Sequence, residues 1–129
     1  MEPNAHRKLF ITAGWFNFLA GLLLLVATGP VAGLMGLQIN PTATLFIQLT
    51  AGVVVVFGGP YWMIARDPLR FRPYIPPGIV LKALVIVVIY GHWLAGSIPW
   101  PLPALAAGDV IYAVLFWRYH RQAELAPSA

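Results

Sequence analysis

The chain contains no cysteine. That excludes disulfides, thiol catalysis, thiolate metal ligands and iron-sulfur ligation together, and leaves the redox compartment unread. Charge is nearly as scarce: 9% of the 129 residues, with four acidic side chains in all. Serine occurs only at Ser97 and Ser128, in a turn and a tail, so no Ser-His-Asp arrangement is credible. No HxxxH, HExxH or carboxylate cluster is present, so the usual metal-site spacings are missing as well. The expectation is a protein that is not an enzyme and carries no metal.

What fills the chain is apolar surface. Hydrophobic residues make up 60%, too many for an ordinary soluble domain of this length, and the natural solvent for such a chain is a bilayer. Four apolar runs, 9–28, 41–65, 78–96 and 102–118, approach the ~20 residues that a transmembrane helix requires. They predict an all-α fold, a single four-transmembrane-helix bundle occupying residues 1–129. The first run follows Arg7-Lys8 and invites comparison with a signal peptide. It is longer than the ~7–15 residues of a signal core, and Gly29-Pro30 after it reads as a turn, so a retained helix is expected. Residues 29–40 are uncharged and glycine-rich, suited to the interface. Asn40-Pro41 offers an N-cap followed by a proline at the first helical position, and Gly58-Gly59-Pro60 predicts a kink late in the second span.

The net charge of +4 points to membrane orientation, not nucleic acid, because of where it sits. Arg7 and Lys8 precede the first span, Arg66, Arg70 and Arg72 separate the second and third, and Arg118 and Arg121 follow the fourth, whereas the other two connections have none. By the positive-inside rule both termini and the arginine loop are cytoplasmic. Within RDPLRFRPYIPPG, Asp67-Pro68 is suited to cap a turn, and the alternation of arginine with aromatic and aliphatic groups suits the headgroup layer, as an orientation signal or as a site for lipid phosphate. Tyr61, Trp62, Trp117 and Tyr119 are expected in an inner aromatic belt, with Trp93 and Trp100 in an outer one.

Two charges fall inside apolar runs: Lys82 in GIVLKALVIVVIY and Asp109 in LAAGDVIYAVLFW. An ionised group at the centre of a helix in lipid costs about 2.5–3.5 kcal/mol on insertion scales, so each needs a partner. At 1.5 Å per residue, Asn17 and Asp109 lie roughly 14 Å from the cytoplasmic boundary and Lys82 roughly 8 Å. A lysine side chain extending outward brings all three polar groups into one layer. Tyr112, three residues after Asp109, shares its face and is placed to donate to the carboxylate. Gln48 and His92 form a shallower outer layer, a candidate ligand contact. A haem held by His92 lacks a second intramembrane histidine within this chain; no cofactor is expected, a haem shared between subunits or a quinone being the alternatives. Gly14 and Gly21 with Ala13 and Ala20, and Ala104, Gly108 and Ala113, are small-residue stripes for close helix contact.

The IARDP stretch (Ile64 to Pro68), a lysine early in the third span, and Gly108-Asp109 ahead of an aromatic-rich run ending near Phe116 resemble a group of small four-helix inner-membrane proteins of bacteria. The DoxX-like group shares the architecture but is not singled out by a motif. The resemblance implies a multi-pass protein of the bacterial inner membrane and brings no activity with it. The function expected is that of an accessory or assembly subunit of a larger membrane complex, or a homo-oligomer, with lipids and other membrane subunits as partners. Binding or transport of a lipophilic or small anionic ligand near Lys82 and Asp109 is the alternative.

Overall fold

In a medium without water every backbone N–H and C=O must be satisfied inside its own segment, so long apolar runs with no β-pairing signal become helices. The computed structural model describes residues 3–125 and has no strand among them. Five helices run in order: α1 (Pro3–Val26), α2 (Thr28–Leu34), α3 (Pro41–Arg66), α4 (Ile75–Leu94) and α5 (Pro101–Leu125), with a 3-10 turn at Arg72–Tyr74 before α4. Three stretches are long and apolar enough to cross a membrane: His6–Val26, Pro41–Arg66 and Arg72–Leu94. The fourth long helix, α5, is not among them. Asp109 in its middle and the polar turn from Arg118 to Gln122 dilute its hydropathy.

Several boundaries differ from those read off the apolar runs. The helix at the start begins within the polar lead, at Pro3, and breaks at Ala27. Gly29-Pro30 does not form the turn. Pro30 falls in the first turn of the short helix α2, where its missing N–H costs nothing. Pro76 and Pro77 likewise begin α4 instead of preceding it. The polar segment after Trp117, beyond the fourth apolar run, continues α5 to Leu125; residues 126–129 lie outside the described residues. Helix α3 runs unbroken through Pro60.

Local chemistry explains the ends. The Asn40 side chain accepts a hydrogen bond from the Ala43 N–H at 2.7 Å and opens α3. Asp67 closes α3 and accepts from the Arg70 N–H at 3.2 Å, turning the chain into the arginine loop. Gly36 and Gly96 have φ of +72° and +80°, the left-handed conformation that ends a helix at little cost in glycine. After them the Leu37 N–H returns to the Ala32 carbonyl and the Ser97 N–H to that of His92, each at 2.9 Å.

Packing divides the molecule into two hairpins. Helix α1 lies against α3, and α4 against α5, whereas contacts across the pair of hairpins are sparse. The first hairpin is close-packed because glycine removes side chains at the contact. A Cβ on Gly58 would stand 3.0 Å from the Gly14 carbonyl oxygen, and one on Gly21 would stand 2.8 Å from that of Ala51. The small-residue stripe of α1 is thus used inside the chain. Gly108 serves the same end between hairpins, receiving the Phe16 ring, which a Cβ there would meet at 2.7 Å.

The two hairpins pack a core at one end and touch again at the other, where Gly36 lies against Pro99. Leu9, Phe10 and Ala13 of α1, Tyr61, Ile64 and Ala65 of α3, Ile75 of α4 and Phe116 of α5 form the core. This end carries the start of α1, the end of α5 and the arginine loop: His6 stacks on Tyr119 with ring centroids 5.1 Å apart, and Phe10 on Phe116 at 4.7 Å. Tyr61, expected in an aromatic belt, is fully buried here, because Gly78 on α4 leaves space for its ring. Trp62 also turns inward, its indole N–H donating to the Ile11 carbonyl at 3.2 Å. Trp93, Trp100 and Trp117 are exposed. So are large apolar side chains away from the cleft, among them Leu45, Leu49, Val56, Val80, Leu84 and Val87. A soluble monomer rarely leaves such continuous apolar surface uncovered.

Candidate functional site

Where the hairpins begin to diverge, three polar side chains from three helices meet. The Lys82 ammonium of α4 donates to Asp109 Oδ1 of α5 at 2.8 Å and to Asn17 Oδ1 of α1 at 3.1 Å. Asn17 passes the chain on, its Nδ2 donating to the Val54 carbonyl of α3 at 3.2 Å. The orientation of the amide is dictated by chemistry, since an ammonium has no lone pair and only the amide oxygen can face it. One lysine therefore ties together all four long helices. Gly58 helps the last link: a Cβ there would stand 3.0 Å from the Gly14 carbonyl oxygen, so a larger residue would press on α1 close to Asn17.

Burial in this trio is uneven. Lys82 is 1% exposed and Asn17 2%, whereas the Asp109 side chain is 17% exposed. The lysine is further enclosed by rings. Its nitrogen lies 5.4 Å from the ring centroid of Tyr61, 5.5 Å from those of Phe16 and Tyr112, and 5.9 Å from that of Phe116. An aromatic face within about 6 Å attracts a cation by ~0.5–2 kcal/mol, most strongly when water is excluded. The ion pair is thus a cation wrapped on one side by π-faces and closed on the other by a carboxylate and an amide. Tyr112 contributes its ring, not its hydroxyl. No hydrogen bond joins it to Asp109; its ring lies tilted against Phe16, at 5.5 Å between centroids, and beside the lysine. The Tyr61 hydroxyl, buried next to the cage, has no hydrogen-bond partner among the described residues.

Beyond this polar layer, away from the core, a cleft of about 730 Å³ separates the hairpins. Asn17, Lys82 and Asp109 lie at its inner end. Its walls come from every long helix: Ala20 and Leu24 of α1, Ile47, Ala51 and Val54 of α3, Leu81, Val85 and Ile89 of α4, and Leu102, Leu105 and Ala106 of α5. Gln38 and His92 line its far part. Clefts of ~300–1,000 Å³ with apolar walls and a few convergent polar groups are the usual form of a small-molecule site.

The outer polar residues do not face one another. Gln48 turns to α2, its Nε2 donating to Thr28 Oγ1 at 3.2 Å, while Thr28 donates to the Leu24 carbonyl at 2.6 Å. His92 faces the cleft without Gln48. Arg66, Arg70 and Arg72 stay at the opposite end of the molecule. Arg70 lies over the Phe71 ring at 5.3 Å, and Arg66 shares a shallow groove with Arg7, Trp15 and Trp62. Sequence reasoning missed the cleft itself and the aromatic cage, because Phe16, Tyr61, Tyr112 and Phe116 are each spaced like ordinary core residues. Compared with models of known protein families, with curated proteins and with solved structures, this chain matches none.

Proposed function

We propose that this is a four-span protein of the bacterial inner membrane, with both termini and the arginine loop cytoplasmic, that binds a lipophilic molecule in the cleft between its hairpins without transforming it. The orientation rests on the arginine and lysine distribution. The binding role rests above all on one contrast: the same four helices that exclude all space around Phe10, Tyr61 and Phe116 leave about 730 Å³ open above Lys82. The Lys82–Asp109–Asn17 layer forms the base of that space and, with the cage, holds the hairpins at a set spacing.

The test is the lipophile content of the purified full chain, compared with a Val85→Trp variant whose indole projects from the α4 wall into the cleft. Mass spectrometry is expected to find one apolar species enriched over bulk lipid in the native chain and depleted in the variant. Identical, bulk-like lipid profiles in both would overturn the reading. A second reading, an accessory subunit or homo-oligomer, draws on the exposed apolar faces of α3 and α4. A stoichiometric partner or self-association surviving mild detergent, disrupted by polar substitution at Leu49 or Val87, would favour it.

A further inference from the structure

At its inner end the cleft presents one usable polar group to a ligand, and that group is an acceptor; Gln38, Thr50 and His92 line other parts of it. Lys82 is 1% exposed; two of its three protons are engaged by Asp109 and Asn17, and the ammonium is otherwise surrounded by ring faces. Asn17 is 2% exposed with both amide atoms engaged. Asp109 differs. Its Oδ1 takes the lysine, its Oδ2 has no hydrogen bond among the described residues, and 17% of its side chain is exposed at the cleft. An ionised carboxylate accepts only, so a ligand reaching the base of the cleft meets a demand for a proton donor.

Charge decides which kind of donor. The pair is neutral as a unit, so a carboxylate or phosphate on the ligand would approach Asp109 with a like charge, while the lysine that could balance it is shielded. A cationic ligand would leave an uncompensated positive charge in an apolar cleft, which is costly for the reason that buried charges need partners. A neutral hydroxyl satisfies the carboxylate and adds no charge. From this, and resting on the proposed lipophile-binding role, we infer that the cleft takes a neutral lipophilic alcohol, with its hydroxyl donating to Asp109 Oδ2 and its apolar body lying between Val54, Val85 and Ala106. The distance along α4 from Lys82 to His92, roughly 15 Å at the helical rise, suits an extended chain or a fused-ring body of similar length.

The experiment uses the full chain in phosphatidylcholine nanodiscs and three labelled probes of similar length: dodecanol, dodecyl methyl ether and dodecanoate. Retention is corrected with the Val85→Trp variant, so that partition into lipid cancels. Hydrogen bonds to charged groups are worth about 1.5–3 kcal/mol, so dodecanol is expected to bind about tenfold or more tighter than the ether, which accepts but cannot donate. Dodecanoate should bind weakest. In Asp109→Asn the side-chain oxygen still accepts from Lys82 and the amide N–H₂ faces the cleft, so the preference for alcohol over ether should vanish or reverse. Equal binding of alcohol and ether in the native chain, or tighter binding of dodecanoate, overturns the assignment of a donor ligand yet leaves a lipophile cleft. Absence of any Val85→Trp-sensitive retention overturns the binding reading itself. The native-chain series decides the matter even if the Asp109 variant does not fold.

Discussion

Replacing Lys82 and Asp109 singly and together measures what the ion pair contributes to the bundle. Lys82→Met removes the 2.8 and 3.1 Å hydrogen bonds and leaves the Asp109 carboxylate with no donor. A charge stranded in a membrane interior costs about 2.5–3.5 kcal/mol, and breaking one half of a buried pair costs about 3–5 kcal/mol. The partial exposure of Asp109 into the cleft favours the lower figures, so a loss of about 3 kcal/mol is expected. Asp109→Leu strands the cation instead, but Asn17 Oδ1 and four aromatic faces remain around it. Its loss should be smaller, about 2 kcal/mol, given what each ring face adds. The pair of substitutions restores neutrality with side chains of similar bulk and should cost only about 2 kcal/mol, a coupling of about 3 kcal/mol, the upper end for neighbouring residues. The assay is reversible unfolding in mixed micelles by SDS titration, monitored by tryptophan emission. A double variant as unstable as the sum of the single ones would refute the idea that the two charges support each other. A larger loss for Asp109→Leu than for Lys82→Met would refute the role given to the cage.

Other outcomes depend on single contacts. Gly58→Ala should destabilise the α1–α3 hairpin by about 1–3 kcal/mol, the usual range for overpacking, since the new methyl would stand 3.0 Å from a backbone oxygen. Gly52→Ala on the same helix meets open space and should be tolerated; equal losses for both in the unfolding assay would contradict the close packing of α1 on α3. Tyr61→Phe removes a buried hydroxyl that has no partner among the described residues, and should leave stability unchanged or raise it by about 1 kcal/mol, because an unsatisfied buried polar group is a cost. A clear loss would show that the hydroxyl is engaged. Topology is open to clean labelling because the chain has no cysteine of its own. A single cysteine at Leu69 should resist an impermeant thiol reagent in intact cells while one at Trp100 reacts, and the reverse pattern would overturn the proposed orientation.

The sequence by itself determined the helical character of the chain and the approximate places of its connections, and it set Asn17, Lys82 and Asp109 at positions along their helices from which they can meet. The physical reason is local: a long apolar run leaves the backbone no partner but itself, Asn40 caps the start of α3, and Gly36 and Gly96 adopt a backbone that other residues resist. The layer holding Asn17, Lys82 and Asp109 was legible because helical rise converts residue number into depth. Azimuth was not. Rotation of each helix about its axis is set by how its neighbours pack, and that rotation sends Tyr61 and Trp62 inward, turns the Tyr112 ring instead of its hydroxyl to Lys82, and directs Gln48 to Thr28 and away from His92. The helical continuation through Arg118 and the early starts of α1 and α4 depend on contacts such as His6 with Tyr119 that no apolar count contains. The open space is the most purely tertiary feature. Whether two hairpins close along their whole length depends on the fit of side chains from all four helices at once, and only the assembled structure decides that they meet around Phe116 and part above Asp109.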